Sequence, residues 1–358
     1  MAAEAKHILV IRLSAMGDVA MTIPVLRAFR QQYPEVRITA VSHHFFKPLF
    51  DTIPGVHFYG VNLNKRHKGF DGIFKIFADL KRLNIDVVAD LHNVLRSKII
   101  RNLFRLWGKK VAHTDKGRDE KKALVRSLNK DFKELKSMFQ RHADTFESLG
   151  YPIDLSVVDF PEKKPLSKDI IQLSGDVKHE KWLGIAPYAQ YDSKIYPEDL
   201  MKQLVASITE YRDVKVFLFG SRAETAKLKE LRQGYKNTYI VPGNMTFEEE
   251  VTLISHLDVL LAMDSGNAHI AAMMGVNVLT LWGATHPYAG FMPFRQPMEN
   301  AFVSDRAKYP MLPTSVYGNK EVIGYEDVMR TIDPKEVVTK LTKILDLKTV
   351  KAHNYTSS

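Results

Sequence analysis

Apolar runs and helical spacings alternate along most of the chain. His7 to Leu13 is an apolar, β-branched run that reads as a strand, followed by the loop Ser14-Ala15-Met16-Gly17-Asp18. Residues 19–33 then place Val19, Ile23, Leu26 and Phe29 on one helical face. The alternation continues with a strand over 37–41, a helix over 45–51, a strand over 56–61, an amphipathic helix over 73–84 and a strand over 85–91. Residues 150–180 are rich in proline and charge and read as a domain connection. The rhythm restarts with strands over 183–186, 215–220, 238–241, 257–263 and 276–282. Helices over 197–211, 224–234, 246–255 and 267–274 fall between them, and 334–347 reads as a closing helix. Strand and helix in turn imply parallel, doubly wound sheets, here an α/β chain of two Rossmann-like halves facing a cleft.

At 358 residues the length suits two domains better than one. The absence of cysteine excludes a disulfide framework, cysteine-ligated zinc and a thiol nucleophile, and agrees with a reducing compartment. The N-terminus runs almost at once into a strand without an apolar signal core, and no apolar run approaches the roughly 20 residues of a membrane helix. The expectation is a cytoplasmic protein. Net charge is +10, and Arg96 to His142 holds 15 Lys/Arg against 5 Asp/Glu, so this one segment carries the whole excess. Such a patch attracts a polyanion or an anionic membrane surface; the ordinary alternative is a solvated helical face.

Candidate chemistry sits at the strand-to-helix turns. Met263-Asp264-Ser265-Gly266-Asn267-Ala268-His269 ends a buried strand and opens a small-residue helix, whose free N–H groups favour an anionic group. Gly266 lets a phosphate approach the backbone, while Asp264 is suited to accept from hydroxyls, as of a sugar. A phosphate cradle beside a hydroxyl acceptor suggests a nucleotide-sugar site; a plain N-cap is the alternative. Asp18 reads either as a helix cap or as a general base facing the cleft. Lys194, in the loop before Pro197, reads either as a cation that neutralises a diphosphate or as an ordinary solvated loop lysine. Glu224 reads as a ribose ligand or a helix start, and Gly283 and Thr285 follow a strand that lets them line the phosphate site. No Asp-x-Asp pair occurs, so a metal bridging a diphosphate is not indicated.

Together these segments resemble glycosyltransferase family 9, the lipopolysaccharide heptosyltransferases. The matching pieces are RLSAMGDVAMTIPVLRAF, DLHNVLRS at 90–97, PYAQYDSKIYP, FGSRAE, MDSGNAHIAAMMGVNVLTLWGATHP and the closing helix. The resemblance implies a GT-B fold: an acceptor domain over 1–165, a donor domain over 166–333, and a segment over 334–358 of helix and tail, the helix either staying on the second domain or crossing back to the first. It implies inverting, metal-independent transfer from a nucleotide sugar, ADP-heptose in the best-known members, with no cofactor. Asp18 falls on the family's base and Lys194 on its diphosphate-binding lysine. Glu224 falls on the ribose-binding acid, and Asp264, Ser265, Gly266 and His269 on the donor-binding motif, with Thr285 beside them. Arg96, Lys98 and Arg101 are then expected to hold an anionic glycolipid acceptor of the lipid A–Kdo type, with peripheral contact at the cytoplasmic face of the inner membrane. Departures lie at Tyr188, His92 and Tyr196. The competing readings are another GT-B sugar-nucleotide enzyme such as an epimerase, and a basic nucleic-acid-binding module. Against the latter, no helix-turn-helix, RRM or zinc motif is visible.

Overall fold

The computed structural model describes residues 7–175 and 180–347. The chain begins β1 (His7–Ile11), α1 (Met16–Ala20), α2 (Thr22–Gln32), β2 (Arg37–His43), α3 (Lys47–Phe50), β3 (Val56–Val61), α4 (Gly69–Lys81) and β4 (Val87–Asp90). α5 (Leu95–Leu106), β5 (Lys110–His113), α6 (Arg118–Leu124), α7 (Met138–Glu147) and α8 (Lys168–Ser174) follow. The five strands form one parallel sheet in the order β3-β2-β1-β4-β5. A second set then forms: β6 (Lys181–Ala186), α9 (Glu198–Thr209), β7 (Val214–Leu218), α10 (Thr225–Arg232), β8 (Thr238–Ile240), α11 (Phe247–Ser255), β9 (Val259–Met263) and α12 (Gly266–Met273). β10 (Asn277–Trp282), β11 (Ala301–Val303) and α13 (Pro334–Ile344) complete it. This sheet is parallel too, in the order β11-β10-β9-β6-β7-β8. The architecture is a GT-B-like pair of Rossmann-type layers.

The central strands are continuous apolar runs because helices cover both faces; β1, β7 and β9 are buried at every residue. In each sheet the order reverses direction beside the first strand of its set, at β1 and β6, and the chain ends of those strands open on the cleft. Three expectations change. The single helix over 19–33 is two, and α1 starts at Met16, so Gly17 and Asp18 belong to a helical turn. The closing helix does not cross back. Val337, Leu341 and Leu345 bury against α9 residues Met201, Leu204 and Val205, and Arg330 pairs with Asp199 at 2.9 Å, so α13 stays on the second layer. The expected tail from 348 lies outside the described residues. The strands β5 and β11, both sheet edges, were not expected.

Candidate functional site

Two cavities meet at Asp18. The larger, about 790 Å³, is walled by Ala15 to Asp18 on one side and by Lys194, Glu224, Glu250 and Asp264 to Asn267 on the other. The smaller, about 270 Å³, is lined by Arg12, His92, Lys116 and Lys121. Ala15, Asp18, Phe291 and Tyr317 line both.

The two layers touch here backbone to backbone. A Cβ on Gly17 would stand 3.1 Å from Gly266 Cα and 3.1 Å from His269 Cδ2, so glycine at 17 is what allows α1 to sit on the tip of α12. Asp18 Oδ2 is 2.5 Å from the buried Arg12 guanidinium and accepts from the Ala15 amide at 3.4 Å. Burial pushes its carboxyl up, but Arg12, the Ala15 amide and His269 outweigh that and hold it below the ordinary aspartate value. Arg12 is itself fixed by donating to the Leu91 carbonyl at 2.7 Å. Asp18 therefore braces the helix start and also lines both cavities.

On the facing wall Lys194 Nζ lies 3.0 Å from Asp264 Oδ2, which also accepts from Thr285 Oγ1 at 3.0 Å. Asp264 thus holds the ammonium in position. Thr285, expected on the phosphate site, is buried behind Asp264 and is absent from the cavity wall. The lysine stem is clamped as well. Gly318 packs so closely on it that a Cβ there would fall 2.4 Å from Lys194 Cδ, and Ser193 Oγ donates to the Gly318 carbonyl at 2.6 Å. Tyr196, a departure in this loop, is buried and donates its hydroxyl to the Ile332 carbonyl at 2.6 Å, anchoring the loop's far end.

Ser265 Oγ and His269 Nδ1 are buried and lack a protein partner. Unpaired buried polar atoms are costly, so two of them beside free helix-N-terminal amides mark a place for ligand oxygens. Burial lowers the His269 pKa to about 4, so the ring is neutral at physiological pH. Glu224 Oε2 accepts from the Ser221 amide at 2.6 Å, making it the cap of its turn while it also lines the cavity. Further along this wall stand Pro242, Met245 and Phe247, with Glu250 among them; burial raises the Glu250 carboxyl to about 7.

The expected acceptor cations are not the ones at the site. None of Arg96, Lys98 and Arg101 lines either cavity. Arg101 is buried and spent on Asp90 at 2.9 Å and Asn93 at 3.1 Å, bracing the turn after β4. The cations beside Asp18 are Arg12, Lys116 and Lys121. Burial lowers the lysines to about 8 and about 7 respectively. Among the described residues, Lys121 Nζ meets the Met138 sulfur at 3.2 Å and the Phe291 ring at 4.1 Å. A signal for it existed: Lys121 and Leu124 share one face of α6 at a spacing of three, and both are buried. Tyr317 and Glu250 carried no sequence signal.

Comparison with known proteins gives a consistent result. Residues 73–318 match the model of glycosyltransferase family 9 (heptosyltransferase). The chain is 26% identical to lipooligosaccharide heptosyltransferase 2 of Haemophilus influenzae, over 95% of this chain and 99% of that one. It is 24% identical to lipopolysaccharide heptosyltransferase 1 of Campylobacter coli, over 94% and 98%. Among solved structures, the family 9 glycosyl transferase of Veillonella parvula superposes with a TM-score of 0.73 at 17% identity, covering 96% of this chain and 98% of that one. The Escherichia coli heptosyltransferase WaaC with ADP gives 0.67 at 17% identity, covering 94% and 99%.

Proposed function

Because the chain belongs to glycosyltransferase family 9, we propose that it moves a sugar, heptose from ADP-heptose, onto a hydroxyl of an anionic glycolipid of the lipid A–Kdo type. The observation that carries this reading is the position of Asp18 on the wall shared by the cavity that holds Lys194 and the start of α12 and by a smaller, cationic one. The donor diphosphate lies on the second layer, against Lys194, the Ser265 hydroxyl and the first amides of α12. The neutral His269 offers a hydrogen bond there without adding charge. Glu224 faces the ribose, and the apolar wall at Pro242, Met245 and Phe247 takes the base beside Glu250.

The acceptor enters from the smaller cavity, its acidic groups toward Arg12, Lys116 and Lys121. Asp18 is ionised at neutral pH and takes the proton of the acceptor hydroxyl as that oxygen bonds to the anomeric carbon. The bond to the diphosphate oxygen breaks on the opposite face, which inverts the centre. The transition state is oxocarbenium-like, as elsewhere in glycosyl chemistry. Negative charge grows on the leaving diphosphate, where the fixed ammonium and amides already point. The reaction in this form needs no metal ion, and it takes place on the cytoplasmic face of the inner membrane.

The test is Asp18→Asn. Nucleotide binding, measured by calorimetry with ADP, stays near wild type, and transfer to a lipid A–Kdo acceptor falls by about 10²–10⁴-fold. Near-normal transfer would remove Asp18 from the base role. Nucleotide release without any added acceptor would point instead to epimerisation or hydrolysis.

A further inference from the structure

α4 and α5 lie side by side on one face of the first sheet. Their inner faces bury Ile73, Ile76, Leu80, Ile100 and Phe104 against Leu9, Ile11 and Val88. An amphipathic surface helix then normally turns a polar face outward. These two do not. Phe70 is 67% exposed, Phe74 53%, Leu95 70% and Leu106 86%, and Trp107 just past the end of α5 is 36% exposed. Phe70, Phe74 and Phe77 share one stripe of α4. The Phe77 ring meets Phe104 at 5.0 Å and Trp107 at 6.3 Å, so the stripe continues onto the end of α5.

Cations surround this strip. Lys81 and Lys109 stand over the Trp107 ring at 4.8 and 5.1 Å. Lys75, Arg82, Arg105 and Lys110 are exposed nearby. Residues 95–110 hold six Arg/Lys and no acid. Asp79, on the flank of α4, is already engaged by Arg66 and Tyr59, both at 2.6 Å.

We propose that the outer face of α4 and α5 is a docking surface for an anionic phospholipid bilayer. Phe70, Phe74, Leu106 and Trp107 enter the boundary between headgroups and acyl chains, and the surrounding lysines and arginines meet the lipid phosphates. The chemistry selects this occupant. Apolar side chains bordered by cations, with ammonium groups over the ring of an exposed tryptophan, match the layered polarity of a membrane interface. Negative lipid supplies the complementary charge. A nucleic acid would use the cations but gain nothing from Leu106 and Phe70. α5 begins immediately after Val94, which with His92 lines the cationic cavity beside Asp18. The exposed Leu95 at the start of α5 thus stands next in sequence to a residue lining this cavity. The purpose of the docking face rests on the acceptor reading above; its physics does not.

The experiment uses the full chain and vesicles of phosphatidylcholine with or without phosphatidylglycerol, containing no glycolipid. Sedimentation is expected to show binding to the anionic vesicles only, weakened by salt. Emission of the exposed Trp107 is expected to shift to the blue, since Trp182 and Trp282 are buried. Phe74→Ser with Trp107→Ser, and separately Lys109→Glu with Lys110→Glu, should each weaken binding at least about tenfold. Both variants should keep wild-type ADP affinity and wild-type transfer to a soluble, de-acylated acceptor, which shows that they fold. No binding to anionic vesicles would overturn the proposal, as would binding that survives either double variant. So would self-association of the wild-type chain that the aromatic variant abolishes. Vesicle binding that follows the expected pattern without any transfer would keep the docking face and reject the transferase reading.

Discussion

Asp18 carries its charge under two opposed influences. Desolvation favours the neutral acid, and the Arg12 guanidinium at 2.5 Å favours the carboxylate and prevails. A carboxyl held below its unfolded value contributes stability above the ordinary aspartate range and loses it as pH falls through the depressed value. In the proposed mechanism the same titration sets the acid limb of kcat/KM. Arg12→Gln removes the prevailing term and leaves burial unopposed, so the limb should move to higher pH. A pH profile of transfer measures this, and an unmoved limb would mean that another group titrates there. Lys121 presents the opposite case. Burial lowers it to about 7, so between that pH and the unfolded value near 10.4 the unfolded chain binds more protons, and stability rises with pH. Below pH 7 a buried ammonium with no carboxylate within bonding distance costs stability, a cost a structural lysine has no reason to carry. Lys121→Met should therefore raise the melting temperature, by about 1 °C per kcal/mol recovered in a chain of this length, while raising acceptor KM and leaving donor KM unchanged. A fall in melting temperature with unchanged acceptor KM would assign Lys121 to packing alone.

At the scale of elements, what was legible in the sequence was what is local. Buried strands announce themselves as apolar runs, and the turns that follow them carry Asp18, Lys194, Glu224 and Asp264 to the cavity wall as expected. Two of the four edges were not legible, while the edges β3 and β8 were. β5 has only two apolar residues between Lys110 and His113, so it reads as charge before it reads as strand, and β11 is three residues long. The cations beside Asp18 do not stand out in the sequence for a related reason. Fifteen cations fill one segment, and which of them face the site depends on how α5 and α6 roll against their neighbours. The roll of α5 did have a signature: Ser97, Ile100 and Phe104 are buried at helical spacing, and Arg101 falls on their face. The contact between α1 and α12 joins residues nearly 250 positions apart in sequence. Gly17→Ala tests it. The added Cβ meets Gly266 Cα and the His269 ring at 3.1 Å, and a backbone atom cannot swing away as a flexible side-chain end does. Overpacking of this kind costs about 1–3 kcal/mol. Because a displacement near 1 Å at a reacting centre costs about 10²-fold, transfer should fall far more than stability does. Equal and small losses in both would show that the two helices have room to part.

The whole molecule is joined more tightly than a two-domain chain usually is. One apolar cluster contains Ile8, Phe29 and Phe146 from the first layer together with Trp182, Phe217 and Ile270 from the second. The later part of the basic segment crosses between the layers. Leu135 N donates to Tyr288 O and Met138 N to Gly290 O, both at 2.9 Å, and Arg306 lies over the Phe132 ring at 3.3 Å. Lys130 Nζ donates to the carbonyls of Leu124, Met311 and Pro313 at 3.1, 2.9 and 2.6 Å, which ties α6 to the loop after β11. On the far rim Phe45 stacks on Phe247 with ring centroids 4.5 Å apart. Cations counted from the sequence as one surface patch thus divide between cavity, outer face and interlayer strap. Interlayer motion is the default for chains joined by small polar interfaces. A shared core argues for the opposite here, and calorimetry decides between them. A single endotherm with matching calorimetric and van't Hoff enthalpies is expected, whereas two resolved transitions would show that the layers unfold independently. Lys130→Met sharpens the test. It withdraws the donor from three carbonyls at once and should cost about 1–3 kcal/mol. If the strap couples the layers, the single transition of this variant broadens or splits; if the apolar cluster alone couples them, the transition moves down in temperature without changing shape.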